Sequence, residues 1–179
     1  MKLNSNVLLK VLKVITWVGF IGLCIKAGSL LISYLVSMYF NSNGAKNLYM
    51  DLNLSQLKEQ SNLEYSILVC LLILIIALQA FMFFVLLQIF KHINLVSPFH
   101  EKIRKLILNL SILSFIIGLL SKLTVGFSSR YLSQGMNFPH LIEHIAIGDS
   151  FMFFAGILFF ISVLFTKGIE LQTENDLTI

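Results

Sequence analysis

The sequence predicts an all-α fold, a polytopic membrane protein in which four transmembrane helices form a bundle. The first observation is composition: 57% of the 179 residues are hydrophobic and the mean hydropathy is +0.86. The second is distribution, because the 12% of residues that are charged occur in groups between long apolar runs. A soluble domain of this length would spread such residues over its whole surface.

Four apolar segments are long enough to cross a bilayer, at about residues 14–40, 65–90, 106–127 and 145–166. A helix needs about 20 apolar residues to cross the hydrocarbon core, and it satisfies its own backbone hydrogen bonds there. The first segment is too long for a signal peptide and ends at no small-residue cleavage site, so we expect it to be retained as an anchor. No repeat or linker is evident, and we predict a single transmembrane domain over 1–179.

The basic residues predict the orientation of the helices. One set of flanks carries eight of them and the other set carries three. The eight are Lys2, Lys10, Lys13, Lys91, Lys102, Arg104, Lys105 and Lys167, and the three are Lys46, Lys58 and Arg130. Because cytoplasmic flanks are enriched in lysine and arginine, both termini are predicted to be cytoplasmic (N-in/C-in).

The connections carry local structural signals. Leu52, Leu54 and Leu57, among polar residues of the external 41–64 segment, predict a short interfacial helix. Ser97 as N-cap and Pro98 at the first helical position predict that the third helix begins near Pro98. Gly135 and Pro139 predict turns in the external 128–144 segment, and no disulfide is expected because Cys24 and Cys70 lie inside apolar runs.

Small and polar residues recur at spacings of three and four along two of the predicted helices. The first line is Gly22, Lys26, Ser29, Ser33 and Ser37, and the second is Ser111, Ser114, Gly118 and Ser121. These spacings place each line on one helix face. Such faces let helices approach closely in lipid, so packing is the simpler interpretation and a functional polar seam is the alternative.

Lys26, Lys122 and Asp149 are the candidate intramembrane polar or ligand-binding residues. Lys122 comes late in a helix that runs outward and Asp149 comes early in the next, which returns, so both lie at similar depth. Asp149 shares a face with Met152 and Gly156, and we expect it to point inward and to pair with Lys122, Lys26 or both. Snorkelling of Lys122 to the headgroups is the alternative. A cavity lined by Lys26 and Asp149 would suggest a proton- or ligand-linked role.

His140, Glu143 and His144 match the pattern H-x-x-E-H of a zinc-protease class, in which two histidines hold zinc and the glutamate is a general base. Here the pattern lies at a membrane boundary, and Asp149 is the only acidic residue nearby that could supply a third ligand. We therefore interpret it as helix capping and keep these three residues as weak metal candidates. We predict no cofactor.

The sequence does not point to an enzyme or to a nucleic-acid-binding protein. It contains no Ser-His-Asp elbow, P-loop or glycine-rich nucleotide fingerprint, so we predict no catalytic residues. The net charge of +4 comes from basic residues beside apolar spans, which orientation in the membrane already explains. No basic stripe or stacking platform for nucleic acid is visible.

The predicted cytoplasmic face combines a basic segment, 91–105, with an acidic tail after Lys167. The candidate partner-binding residues are Lys102, Arg104, Lys105, Glu170, Glu174 and Asp176. Two interpretations remain open. The tail docks on the basic segment of its own chain, or it offers a site to a soluble partner, and single exposed charge pairs contribute little to either.

Two stretches of this face carry a resemblance to a known family. Ser97-Pro98-Phe99, followed by Arg104, resembles the "N/S-P-F … R" segment of a bacterial four-span family, domain of unknown function 2975. The ending Gly168-Ile169-Glu170-Leu171-Gln172-Thr173-Glu174-Asn175-Asp176-Leu177-Thr178-Ile179 is similar to that family's closing "G-V-E-L-Q-x-E-N-D-L-T-V". The resemblance implies a multi-pass protein of the bacterial plasma (inner) membrane. It implies no activity and cannot be carried over to Lys26, Lys122 or Asp149. Members are often encoded beside a small Cro-type helix-turn-helix regulator, which implies a transcriptional regulator as cytoplasmic partner.

We therefore expect a non-enzymatic regulatory or sensory membrane protein that acts through a cytoplasmic partner. The alternative is a small transporter or ligand-binding protein that uses the three intramembrane charged residues. A structural subunit of a larger membrane complex is the third reading. The lipid bilayer is the one partner that the composition itself requires, and the sequence leaves a homo-oligomer open.

Overall fold

The computed structural model describes residues 5–93, 99–138 and 140–177, and this part of the chain consists of helices joined by turns, with no strand. Four long helices are present: α1 (Ser5–Tyr39), α3 (Asn62–His92), α4 (Glu101–Leu132) and α6 (Gly148–Leu177). Three short elements lie between them: a 3-10 helix (Ser42–Lys46), α2 (Ser55–Gln60) and α5 (Leu141–Ile145).

Four helical spans are long and apolar enough to cross a membrane, the fourth running through α5 and α6. The predicted all-α fold with four transmembrane helices is therefore confirmed. The helices are longer than the predicted spans at most of their ends, because polar residues continue each helix beyond the apolar run.

Each long helix packs antiparallel against the next one along the chain, α1 on α3, α3 on α4 and α4 on α6. Ring pairs fix the first of these contacts at two depths, Phe20 with Phe84 and Tyr34 with Tyr65. Both described ends of the chain therefore lie at one end of the molecule. We call it the inner end, and the opposite one the outer end, according to the orientation that the basic residues predict.

Helix length places the bilayer on the molecule. At 1.5 Å per residue, helices of 30 to 35 residues exceed the roughly 30 Å hydrocarbon core. An inner boundary at Lys13, Lys91, Lys105 and Lys167, followed by about 20 residues of helix, puts the outer boundary near Ser33, Leu71, Val125 and Ile147. The outer ends of α1, α3 and α4 then project beyond the membrane.

These projecting ends, together with the adjoining turns of α1 and α3 just inside the boundary, pack with the external connections into a folded outer head. It comprises residues 30–76, 131–138 and 140–145. Its core contains the leucines that predicted an interfacial helix. A short helix does form there, as α2, but Leu52, Leu54 and Leu57 are fully buried in protein rather than lying along the membrane surface. The prediction was right about the helix and wrong about its surroundings, because helix ends long enough to cover these leucines could not be foreseen.

A second core lies at the inner end between α3, α4 and α6, around Val85, Ile103 and Leu158. There α4 begins at Glu101, after His100, rather than near Pro98 as the sequence predicts. Ser97 and Pro98 themselves lie outside the described residues, as does Pro139. Gly135, the other predicted turn former, has the positive φ of +86° that a tight turn requires.

Candidate functional site

The charged residues Lys122 and Asp149 form an ion pair between α4 and α6. The ammonium Nζ lies 2.6 Å from the carboxylate Oδ1. The predicted pairing of Asp149 with Lys122 is therefore confirmed, and within the described part of the chain Asp149 makes no ion pair with Lys26. The structure thus brings together two of the three intramembrane charged residues.

Two glycines bring α4 and α6 close enough for this pair. A Cβ atom on Gly118 would lie 2.9 Å from the backbone oxygen of Gly148 and 2.7 Å from Cγ of Met152. A Cβ atom on Gly148 would lie 3.0 Å from both the Gly118 oxygen and Cγ of Lys122. The lysine stem therefore runs directly against the start of α6, which directs its ammonium group to Asp149.

The fourth span is broken next to the ion pair. α5 ends at Ile145 and α6 begins at Gly148, so the backbone hydrogen-bond ladder is interrupted between them. The hydroxyl of Ser121 donates to the Ile145 carbonyl, which satisfies an acceptor at the end of α5. Asp149 lies in the first turn of α6, where the positive end of the helix dipole favours a carboxylate.

A cavity of about 450 Å³ opens at this break. Its lining consists of Ser121, Lys122, Val125, Gly126, Ile145, Ala146, Gly148 and Asp149. The expectation that Asp149 points into the bundle was wrong, because its side chain is 88% exposed and that of Lys122 is 50% exposed. Both residues lie within three positions of the outer boundary placed above. The cavity is therefore an open, charged niche at the outer membrane surface.

Lys26 lies elsewhere, half-buried on α1 and outside the lining of this cavity. Its Nζ stands 5.9 Å from the centre of the Tyr49 ring, a cation–π contact. The backbone of Lys26 lies about 10 Å inside the outer boundary, so its side chain snorkels outward. There the Tyr49 ring of the outer head provides an aromatic face for the ammonium group.

The H-x-x-E-H residues contact one another locally, but the expected helix cap is not formed, because no side chain caps the start of α5. Nδ1 of His140 lies 3.3 Å from Oε2 of Glu143, and Nδ1 of His144 donates to the His140 carbonyl at 2.8 Å. His140 itself adopts a left-handed backbone conformation just before α5. Among the described residues, no three His, Cys, Asp or Glu side chains are grouped closely enough to hold a metal ion.

The small-polar line on α4 is a packing surface, and all four of its residues are buried. Ser111 donates to the Ala155 carbonyl across the α4–α6 contact at 2.9 Å. Thr124 and Ser128 extend the line and are also buried, which the continuing spacing of three and four could have shown. On α1 the corresponding line is only partly packed: Ser37 is buried, but a Cβ on Gly22 would meet nothing within 4 Å.

At the inner end, the candidate partner-binding residues occupy two helices. Arg104 and Lys105 pair with Glu101 on their own helix, at 2.6 and 3.8 Å. On α6, Glu170 pairs with Lys167 at 2.6 Å, and the helix continues past it through Glu174. Lys102 faces a cavity shared with α1 and α3. Of the remaining candidate, Asp176, the side chain lies outside the described part.

Among the described residues, the two helices meet through aromatic packing. The Phe99 and Phe165 rings lie 5.3 Å apart, and Phe99 covers Gly168, where a Cβ would approach within 2.5 Å of the ring. Docking of the acidic tail on the basic segment of its own chain stays a prediction, because residues 94–98 and the tail's end lie outside the described residues.

Residues 52–179 match a family described as a protein of unknown function, DUF2975. The match covers the end of the outer head, three of the four spans and the tail. No curated protein and no solved structure matches the chain.

Proposed function

We propose that this chain, which belongs to the DUF2975 family, is a non-enzymatic regulatory membrane protein that acts on a cytoplasmic partner. The observation that carries the proposal is the continuity of α6. This helix begins beside the Lys122–Asp149 pair near the outer membrane surface and runs without a break to Leu177. A tilt or shift of its outer end would move its inner end as well, because a helix is stiff along its axis.

The outer head provides structure on which an external change could act. Tyr65 and Ser37 share a buried hydrogen bond of 2.5 Å between α3 and α1. Lys58 of α2 donates to the Ser37 carbonyl, and the Gln56 side chain accepts from the Asn137 amide at 3.0 Å. The first external connection is thus tied to the end of α1 and the second connection to α2, so a change in the head has a route into the spans.

The inner end of α6 offers the proposed contact surface. From Lys167 onward it is an exposed acidic helix, which suits a basic protein surface. A small helix-turn-helix regulator has such a surface, because it binds the phosphate backbone of DNA with basic residues. Competition between this helix and DNA for the regulator would link the membrane to transcription in a bacterial plasma membrane.

The experiment is affinity capture of the full-length, membrane-extracted protein, followed by identification of the co-purifying proteins. We expect a small helix-turn-helix protein in the capture and a loss of at least tenfold with Glu170→Lys/Glu174→Lys. The matched control is Glu59→Lys/Glu64→Lys, which reverses the same number of charges on the outer head. Capture that is equal for both variants, or that yields no DNA-binding protein, would contradict the proposal.

A second function is favoured by the niche at the break in the fourth span. Broken helices with charged residues near their ends form the binding sites of many transporters. In a ligand-binding protein, the 450 Å³ cavity beside Lys122 and Asp149 would hold a small zwitterion or an anion. Thermal stabilisation of the purified protein by such a compound, lost in Lys122→Gln, would favour this function over the first.

A further inference from the structure

A basic cavity of about 530 Å³ lies at the inner end, between α1, α3 and the start of α4. Its lining consists of Lys13, Trp17, Phe84, Leu87, Gln88, Lys91, His92 and Lys102. Three lysines from three different helices thus face one space, and among the described residues the lining contains no acidic side chain. Nδ1 of His92 donates to the Gln88 carbonyl at 2.7 Å, which fixes the ring at the edge of the cavity.

Among the described residues, no acidic side chain neutralises the charge of this cavity. Within the part of the chain that the structure describes, Lys13, Lys91 and Lys102 make no ion pair, whereas their neighbours Arg104 and Lys105 are both paired with Glu101. Like charges that converge without counter-charge repel one another. An anion in the cavity would remove this repulsion.

Depth separates the charged part of the cavity from an apolar part. Trp17 follows Lys13 by one helical turn, about 6 Å deeper in the membrane, and Phe84 precedes Lys91 by two turns, about 10 Å deeper. The rings of Trp17 and Phe20 lie 5.8 Å apart, and those of Phe20 and Phe84 lie 6.2 Å apart. The lysines therefore lie closer to the inner membrane surface than these aromatic rings do.

A second cavity, of about 420 Å³, lies between α1 and α3 closer to the middle of the bilayer, and it shares Phe84 with the first. Its other lining residues are apolar and mostly small: Phe20, Cys24, Ala27, Ala77, Ala80 and Phe81. The two cavities adjoin at Phe84, and we call them together the groove. Cationic groups lie at the headgroup level in the first cavity, and the second forms a deeper apolar channel.

We infer that this groove binds an anionic phospholipid of the inner leaflet, with the phosphate among Lys13, Lys91 and Lys102 and an acyl chain along Phe84 and Ala77. Basic pockets between transmembrane helices on the cytoplasmic side suit anionic headgroups. An acyl chain suits the lower part because it has no polar groups to satisfy. A peptide, such as the chain's own acidic tail, would bury unpaired backbone groups there.

Trp17 makes the inference testable, because it is the only tryptophan in the sequence and lines the groove. The full-length protein is reconstituted in phosphatidylcholine bilayers that contain a small fraction of phosphatidylglycerol with brominated acyl chains, which quench tryptophan on contact. Brominated phosphatidylcholine provides the uncharged comparison. We expect quenching by the anionic lipid at a much lower mole fraction than by the zwitterionic one.

Variants separate the site from general attraction to a negative surface. Each lysine near an anionic surface contributes about fivefold to affinity, so Lys13→Gln/Lys91→Gln/Lys102→Gln should lower the preference on the order of a hundredfold. The control Lys10→Gln/Lys105→Gln/Lys167→Gln removes three basic residues of the same end that lie outside the groove. It should keep most of the preference, because Lys105 and Lys167 are already paired with Glu101 and Glu170. Ala77→Phe fills the apolar channel without changing charge and should reduce quenching by both lipids.

Three results would overturn the inference. Equal quenching by the two lipids would show that the groove does not select charge. Equal loss in the triple variant and in its control would assign the preference to the whole inner surface. Loss of the preference in millimolar inorganic phosphate would identify a site for a free anion instead of a lipid. Circular dichroism of each variant, unchanged from that of the parent, shows that a lost preference is not lost folding.

Discussion

At the scale of single residues, the outer head depends on the hydrogen bond between the hydroxyls of Ser37 and Tyr65. The bond is 2.5 Å long and buried, and the charge of Lys58 lies 5.8 Å from the centre of the Tyr65 ring. It joins the outer end of α1 to the outer end of α3, 28 residues apart in the sequence. Replacing either hydroxyl therefore tests how firmly the head couples α1 to α3.

We predict that Tyr65→Phe destabilises the protein by about 1 kcal/mol, the usual net contribution of one buried hydrogen bond. The Ser37 hydroxyl keeps its second bond, to the Tyr34 carbonyl at 2.9 Å, so the loss should not be larger. Thermal unfolding in detergent micelles measures the change. Tyr34→Phe is the matched control, since its ring packs 5.9 Å from that of Tyr65 and its hydroxyl makes no hydrogen bond to the described residues. Equal effects of the two variants would contradict the prediction.

At the scale of helices, the contact of α4 with α6 is set by the two glycines at the break. Even an alanine at Gly118 would place its Cβ 2.9 Å from a backbone oxygen that cannot move without shifting α6. The sequence line that contains Gly118 predicted close packing, and the structure identifies its partner as Gly148. Gly148 could not be predicted as the partner of Gly118, because the start of α6 depends on the break after Ile145. No proline and no pair of glycines marks that break in the sequence.

We predict that Gly118→Ala destabilises the protein by about 1–3 kcal/mol, the range for overpacking a well-filled contact. Gly156→Ala on α6 is the control, because a Cβ there meets nothing within 4 Å and alanine is the better helix former. We expect that variant to be neutral or slightly more stable in the same unfolding measurement. A neutral Gly118→Ala would mean that the two helices are not in close contact.

At the scale of the whole molecule, the orientation in the membrane is a prediction from the basic flanks, eight against three. In a background without Cys24 and Cys70, a cysteine at Glu59 of the outer head should react with a membrane-impermeant maleimide added to intact cells. A cysteine at Thr173, exposed on the inner part of α6, should react only after the cells are opened. The reverse labelling pattern would show that the orientation is opposite to the predicted one, and the proposed partner-binding surface would then not be cytoplasmic.

The four spans and their antiparallel order were predictable because hydropathy is a local property of the sequence. The pairing of Lys122 with Asp149 was also predictable, since two adjacent antiparallel helices bring residues at equal depth together. The outer head was not, because burial of Leu52 and Leu57 depends on long-range packing. Nor was the exposure of Asp149, because the face of α6 that packs inward carries Ala155, Leu158 and Ser162, whereas Gly156, on the face that Asp149 shares, is exposed.

Long-range packing also explains why Lys26 lies apart from Lys122 and Asp149. Depth along the sequence indicated that Lys26 needs a partner, but the partner is an aromatic ring from a connection that folds back along α1. Residues 94–98, on which the predicted start of the third helix depended, lie outside the described part of the chain.

In the proposed function, α6 links the ion pair at the outer surface to the partner at the inner end. Capture of the partner by three forms of the full-length protein tests this link. These are the parent, Asp149→Lys, and the charge swap Lys122→Asp/Asp149→Lys. Two facing lysines repel each other, and the charge swap restores the attraction. We therefore predict that the yield of captured partner changes at least threefold in Asp149→Lys and returns close to the parent value in the charge swap. Equal yields from all three forms, with the tail variant Glu170→Lys/Glu174→Lys still defective, would show that the tail binds its partner without any link to the ion pair.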